Sequence, residues 1–225
     1  LAFTITESVR KGKGLKEDWE KEMRDKKVPD WYIWSCNQIE YMFPRAHASA
    51  YVLDATRTGY FKVFHPLEFY ASVFSSRYND ENIFDLLKDV EKTKDRIKEI
   101  DEEIKEKESI GEANAAGKLK RTKTALTIAL EAKYRGIKFG SVRLYESHEH
   151  RFLLDKENNE LIAPFSSVPS LGPIVARKMY QEKFNGVFRG LDDLKKRTKI
   201  TTGAIEKLRD LGSLELVDEV QPTFY

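Results

Sequence analysis

The chain has 225 residues, with 39 Lys or Arg set against 37 Asp or Glu. That length can bury a real core in one large or two small domains. The near-balance of charge excludes a global basic field, so any nucleic-acid surface must be local. A single cysteine, Cys36, excludes an internal disulfide and fits a reducing, cytoplasmic setting. No apolar run approaches a membrane span, nothing resembles a signal peptide, and Leu1 in place of Met points to a piece excised from a longer chain.

Residues 1–10 read as the end of a helix begun upstream. In Arg10-Lys11-Gly12-Lys13-Gly14 two glycines free the backbone for a close approach and three cations surround them, the make-up of a phosphate contact and equally of a basic surface loop. A charged helix follows over 15–27 and an aromatic one over about 30–42, whose Trp31, Tyr32, Trp34 and Tyr41 are expected mostly in the core. Cys36 is expected there too, as a small packed residue. Pro44 suits a first helical turn and Pro66 marks an end, so a helix of about twenty residues lies between them. Its period places Ala46, Ala50, Leu53, Tyr60 and Phe64 on one core-facing stripe. His47, Tyr51, Asp54 and Thr58 fall on another line, with Arg45 near the start. A cation, an imidazole and a phenol on a thin Ala-rich turn suit a nucleotide or template strand, the ring for stacking and the cation for phosphate. An ordinary packed helix with a solvated basic edge fits the same spacing. After Pro66 a helix over 67–74 is apolar nearly all round and should be buried.

Between 82 and 137, Leu86, Val90, Thr93, Ile97, Ile100 and Ile104 form one narrow seam, Ser109-Ile110-Gly111 breaks it, and Leu119, Leu126, Ala129 and Leu130 resume it. An antiparallel helical hairpin accounts for this pattern. Its second arm carries Lys118, Lys120, Arg121 and Lys123 with no acid from Ala113 to Leu130, either a track for a template strand or a solvated face. Short alternating runs at Ser141–Tyr145, Arg151–Leu154 and Leu161–Phe165 predict a small sheet, with Asn158-Asn159 as a hairpin turn. His148-Glu149-His150 lacks a third metal ligand nearby, so no metal site is assigned. From 166 to 214 two helix–turn–helix patterns follow. The first centres on Pro169-Ser170-Leu171-Gly172-Pro173 and continues to Lys178. The second runs through Leu191–Arg197, Lys199-Ile200-Thr201-Thr202-Gly203 and Ala204–Leu211, with Thr201 or Thr202 as helix cap.

The string Tyr41-Met42-Phe43-Pro44-Arg45-Ala46-His47-Ala48-Ser49-Ala50-Tyr51-Val52, with Arg57, Tyr60-Phe61-Lys62-Val63 and His65-Pro66-Leu67, closely resembles the fingers region of PolC-type DNA polymerase III. Val9–Leu15 and Val28–Ile33 are similar to that family in the same order, and matching signals run nearly the whole chain. The two turns resemble helix-hairpin-helix units, although the family hairpin usually has glycine where Ser170 stands. The resemblance implies a mainly α fold with a small β-sheet: fingers over 1–140 with the hairpin at about 82–137, a β element over 141–165, a tandem helix-hairpin-helix domain over 166–214, and a tail over 215–225. It implies nucleotide or template contacts at Arg45, His47, Tyr51, Arg57 and Lys62, and phosphate contacts at Arg10, Lys11 and Lys13. Duplex contacts are implied at Ser170, Leu171, Gly172, Lys178, Lys199, Thr201, Thr202 and Gly203. The tail's Gln221, Phe224 and Tyr225 resemble a sliding-clamp peptide, with Pro222 and the Phe-Tyr pair as departures. Primer-template DNA, an incoming dNTP, the clamp and upstream palm domains are the implied partners, and no membrane. Magnesium and the catalytic carboxylates are implied upstream, leaving no catalytic residue and no cofactor here. Thr6, Asp54 and Thr58 are polar where the family pattern is apolar, as if those positions face a domain absent from this chain. A free-standing DNA-binding or scaffolding module is the competing reading.

Overall fold

The computed structural model describes residues 1–43 and 45–218, and they fall into two compact units, Leu1–Tyr60 and the chain from Phe61 onward. The fold is mainly helical with one three-stranded sheet.

In the first unit, α1 (Ala2–Arg10), α2 (Glu17–Asp25) and α3 (Asp30–Gln38) close a small core of Ile5, Val9, Met23, Ile33 and Cys36. Ile5 and Val9 lie one turn apart on α1, as do Ile33 and Cys36 on α3, so each helix gives the core one narrow face. Trp31 projects opposite that face and Trp34 well off it. The expectation that the α3 aromatics are core is therefore overturned: Trp31 and Trp34 are 69% and 66% exposed, and Tyr32 and Tyr41 are exposed too. Helix α3 also stops at Gln38, short of 42, because Ile39 turns extended. The Arg10–Gly14 loop is folded onto this end. Gly12 has φ +71°, and a Cβ there would sit 1.9 Å from the Glu40 carbonyl oxygen. The Asn37 side chain accepts from Leu15 N at 3.0 Å, and Ser8 Oγ donates to Gly14 O at 3.1 Å. The close approach that these glycines permit is thus to the chain itself.

Helix α4 (Arg45–Phe64) has the length the two prolines predict, and no residue of it is buried. The expected core stripe Ala46, Ala50, Leu53, Tyr60 and Phe64 is exposed. Alanine-rich propensity, rather than an apolar face on a core, accounts for its first turns.

In the second unit, Pro66 takes the first helical position of α5 (Pro66–Arg77), and Leu67, Tyr70, Ala71 and Phe74 are buried. Phe74 meets Phe139 and Phe152 at ring centroids of 5.0 and 5.6 Å in the main core. The short α6 (Ile83–Leu86) is separate from α7 (Val90–Ser109), so Leu86 and Val90 do not share a helix. Asp89 breaks the run by capping α7, its carboxylate accepting from Lys92 N at 2.8 Å. Helices α7 and α8 (Ala113–Tyr134) form the antiparallel hairpin, cross-linked by Lys120–Glu108 at 2.6 Å and Lys123–Asp101 at 2.5 Å. With Arg121 on Asp80 at 2.6 Å, three of the four cations in the acid-free arm lie against carboxylates of this chain.

In the sheet, β3 (Glu160–Ile162) lies between β1 (Lys138–Gly140), to which it is parallel, and β2 (Leu153–Asp155), to which it is antiparallel. The predicted first strand, Ser141–Tyr145, is not a strand. Ser147 Oγ accepts from Arg143 N and donates to Ala163 O, while Val142 O accepts from Ser213 Oγ, so side chains take the groups that a ladder would use. The Asn158-Asn159 turn is present, with Asp155 accepting from Asn158 N and Asn159 at φ +51°. His148 Nδ1 accepts the backbone N–H groups of His150 and Arg151. A 3-10 turn (Phe165–Ser167) then leads to α9 (Pro173–Glu182), α10 (Leu191–Thr198), α11 (Thr202–Asp210) and α12 (Glu215–Asp218). No described helix is long and apolar enough to cross a membrane.

Candidate nucleic-acid interface

In the first unit, four rings line up at the start of α4. Tyr41 meets Phe43 at 4.8 Å, Phe43 stacks on His47 at 5.3 Å with 6° between planes, and His47 meets Tyr51 at 4.5 Å. Residues 43, 47 and 51 are spaced by four, one turn apart, which brings them onto one line. Phe43, His47, Ala48 and Tyr51 line an open recess of about 380 Å³. Tyr51 is 66% exposed. Arg45 is exposed beside them and has no carboxylate partner among the described residues. Phe43 was missed as a site residue because it precedes the helix; the i, i+4 spacing to His47 was the signal. Arg57 lies further along, 3.9 Å from Asp54, an exposed pair of little energetic consequence. Thr58 is exposed, and Thr6 Oγ1 donates to Ala2 O on α1.

The basic loop is less available than its composition suggests. Arg10 donates two bonds to Glu7, both 3.1 Å, and Lys11 Nζ lies 3.5 Å from the same carboxylate. The Arg10 guanidinium holds the Glu7 carboxyl below its usual range. Lys13 alone of the three has no carboxylate partner among the described residues. Lys62 belongs to the second unit and is committed to Glu131 at 2.8 Å, lowering that carboxyl in turn.

The second unit presents two corners with one local design. In the first, Ser170 is left-handed (φ +67°), Leu171 is buried, Gly172 is extended, and α9 starts at Pro173. In the second, Lys199 is left-handed (φ +61°), Ile200 is buried, Thr201 is extended, and α11 starts at Thr202. The buried aliphatic anchors each turn while the residues after it face outward: Gly172, Pro173 and Ile174, and Thr201, Thr202 and Gly203, are all exposed. Thr201 Oγ1 accepts from Ala204 N at 3.3 Å, so Thr201 is the cap and the helix begins two residues before Ala204. A Cβ at Gly172 or Gly203 would meet nothing within 4 Å. The corners differ in what precedes them, the full helix α10 for the second and only the 3-10 turn for the first. Arg197 ties α10 to α9 through Glu182 at 3.1 Å and pairs within α10 with Asp193 at 3.3 Å. Lys178 is half-buried on α9 and Lys199 exposed, neither with a carboxylate partner among the described residues. The free amides at an exposed helix start and a nearby lysine can bind phosphate oxygens without reading bases. Gln221, Phe224 and Tyr225 lie outside the described residues.

Among the described residues no group of three or more His, Cys, Asp or Glu is placed to hold a metal ion.

No family model matches the chain. It is 43% identical over 226 residues to DNA polymerase III PolC-type of Listeria innocua serovar 6a, and 43% identical over 226 residues to that of Bacillus subtilis strain 168, covering 100% of this chain and 15% of each relative. With DNA polymerase III PolC-type of Oceanobacillus iheyensis it shares 42% identity over 219 residues, 97% of this chain and 15% of that protein. By sequence the chain belongs to the PolC-type DNA polymerase III family, and it spans 15% of the length of the relatives it matches.

Proposed function

We propose that this chain serves a replicative DNA polymerase in the cytoplasm as a holder of substrate: its first unit positions template and incoming nucleotide, and its second grips the duplex backbone. The repeated corner carries this reading. Two helix starts, each behind a left-handed residue and a buried anchor, leave amides outward, and Gly172 and Gly203 fill no steric need inside the chain. A phosphate approaching the backbone is what those glycines accommodate. In the first unit the Phe43–His47–Tyr51 line supplies ring faces and Arg45 the cation. Phosphoryl transfer itself is assigned to residues of the longer relatives outside this stretch, and a tail peptide with Gln221, Phe224 and Tyr225 to the sliding clamp.

Binding of the chain to primed-template duplex across a salt series tests the proposal. Affinity should fall steeply with salt, and Lys178→Ala or Lys199→Ala should each lower the logarithmic slope by roughly 1. Gly172→Ala and Gly203→Ala should keep the fold, judged by circular dichroism and melting, yet weaken binding several-fold. Absence of binding at low salt, or unaltered affinity in both glycine variants, would remove the duplex-gripping role.

A further inference from the structure

Within the second unit, a recess of about 510 Å³ opens where the turn before α7 meets the end of α8 and β1. Lys88, Asp89, Lys133, Lys138, Phe139 and Glu160 are among its walls. Lys133, in the last turn of α8, is half-buried there; its Nζ donates to Lys88 O at 2.7 Å and to Thr93 Oγ1 at 2.8 Å and lies 5.7 Å from the Phe139 ring centre. A neutral primary amine has two N–H bonds, and both acceptors it needs are present, which leaves the lone pair uncommitted.

The charges around it are mostly answered. Lys88 lies 2.6 Å from Asp85, which also faces Arg96 at 3.8 Å; Asp89 lies 3.4 Å from Lys92, and Glu160 lies 2.6 Å from Arg143. Lys138 is exposed and has no carboxylate partner among the described residues, so it is the surplus cation at the recess. Loss of hydration brings the Lys133 ammonium down to about 8, with Asp89 and Asp85 opposing the shift and Lys88 adding to it. At that value half the amine is neutral near pH 8, against well under ~1% for an ordinary lysine.

We propose that Lys133 is a reactive amine that takes an acyl group from acyl phosphates, the mixed anhydrides of a carboxylic acid and phosphate. The nitrogen lone pair attacks the carbonyl carbon and forms the C–N bond. The bond between the carbonyl carbon and the bridging oxygen breaks, phosphate leaves with that oxygen and the bonding electrons, and the nitrogen gives one proton to solvent. Lys138 draws the phosphate end of the donor to the recess. The product amide has one N–H and no charge, so it serves only one of Lys88 O and Thr93 Oγ1, and the hairpin loses a tie between α8 and the start of α7.

Acetyl phosphate added to the full chain, with site-resolved peptide mass spectrometry, tests this. At pH 8 Lys133 should be acetylated at least about tenfold faster than exposed Lys118 on the same helix, and its rate should level off above that pH while that of Lys118 still climbs. Lys138→Gln should slow acetylation of Lys133 several-fold with acetyl phosphate and leave its rate with uncharged N-acetoxysuccinimide unchanged. Labelling of Lys133 no faster than Lys118 overturns the proposal. Reaction with the succinimide ester alone, or an unchanged rate in Lys138→Gln, overturns the assignment of acyl phosphates as the donor.

Discussion

At Ser170 the backbone takes a conformation that costs an L-residue roughly 1–2 kcal/mol and a glycine little. Ser170→Gly should therefore raise the unfolding free energy measured in urea, by about 1 kcal/mol or slightly less after the added freedom of the unfolded chain. The sequence hinted at this through the family's glycine, but a φ angle is a property of the folded turn. Lys133 gives a pH signature of its own. Its folded value of about 8 lies below its ordinary 10.5, so between them the unfolded chain holds a proton that the folded chain has lost. Stability should rise with pH through that window. Lys183, lowered by burial, acts in the same direction; Cys36, raised by burial, opposes it above its ordinary 9, and Tyr70, pushed up to about 12 by burial, above its ordinary 10. Urea midpoints from pH 8 to about 10 should climb, and Lys133→Met should reduce the slope.

Among the elements, α4 shows what periodicity can and cannot say. Two prolines and three alanines gave its ends and its helicity, yet an apolar stripe in a sequence does not state what will cover it, and here it is exposed. The helical hairpin was legible because its seam and its break are local, and so was the Asn158-Asn159 turn. Ser141–Tyr145 was misread because the groups that occupy its backbone come from Ser147 and Ser213, the latter more than sixty positions away. The composition of the Gly12 loop fits a phosphate contact and a basic surface loop equally, and its tight approach is to Glu40. Gly12→Ala should destabilise the first unit by several kcal/mol through both the clash and the positive φ, measured by urea unfolding followed by tryptophan fluorescence. Ile100→Ala, at a fully buried position of the seam, should cost about 2–5 kcal/mol in urea unfolding followed by far-ultraviolet circular dichroism, since all three tryptophans lie in the first unit.

For the whole molecule, the two units differ in how much apolar surface they enclose. Ile5, Val9, Met23, Ile33 and Cys36 are the buried core of the first, while the second encloses an extended cluster from Leu67 to Val217. Amides of α1–α3 should exchange hydrogen faster than those of α8 and β3 at the same pH, because a small core gives a small opening energy. The family and the mainly helical fold were open to sequence reading, since recurring strings and periodicities carry them. Which of the candidate cations stay available was not, because Glu7, Asp54 and Glu131 take their partners through geometry. Cys36 turns the modest enclosure of the first unit into something that can be timed. It is the sole thiol, buried, and burial pushes its ionisation upward, so the native state shields it from disulfide reagents. Its modification by Ellman's reagent should thus run at the pace of breathing in α1–α3, giving a stopwatch for that one region while the rest of the chain stays intact.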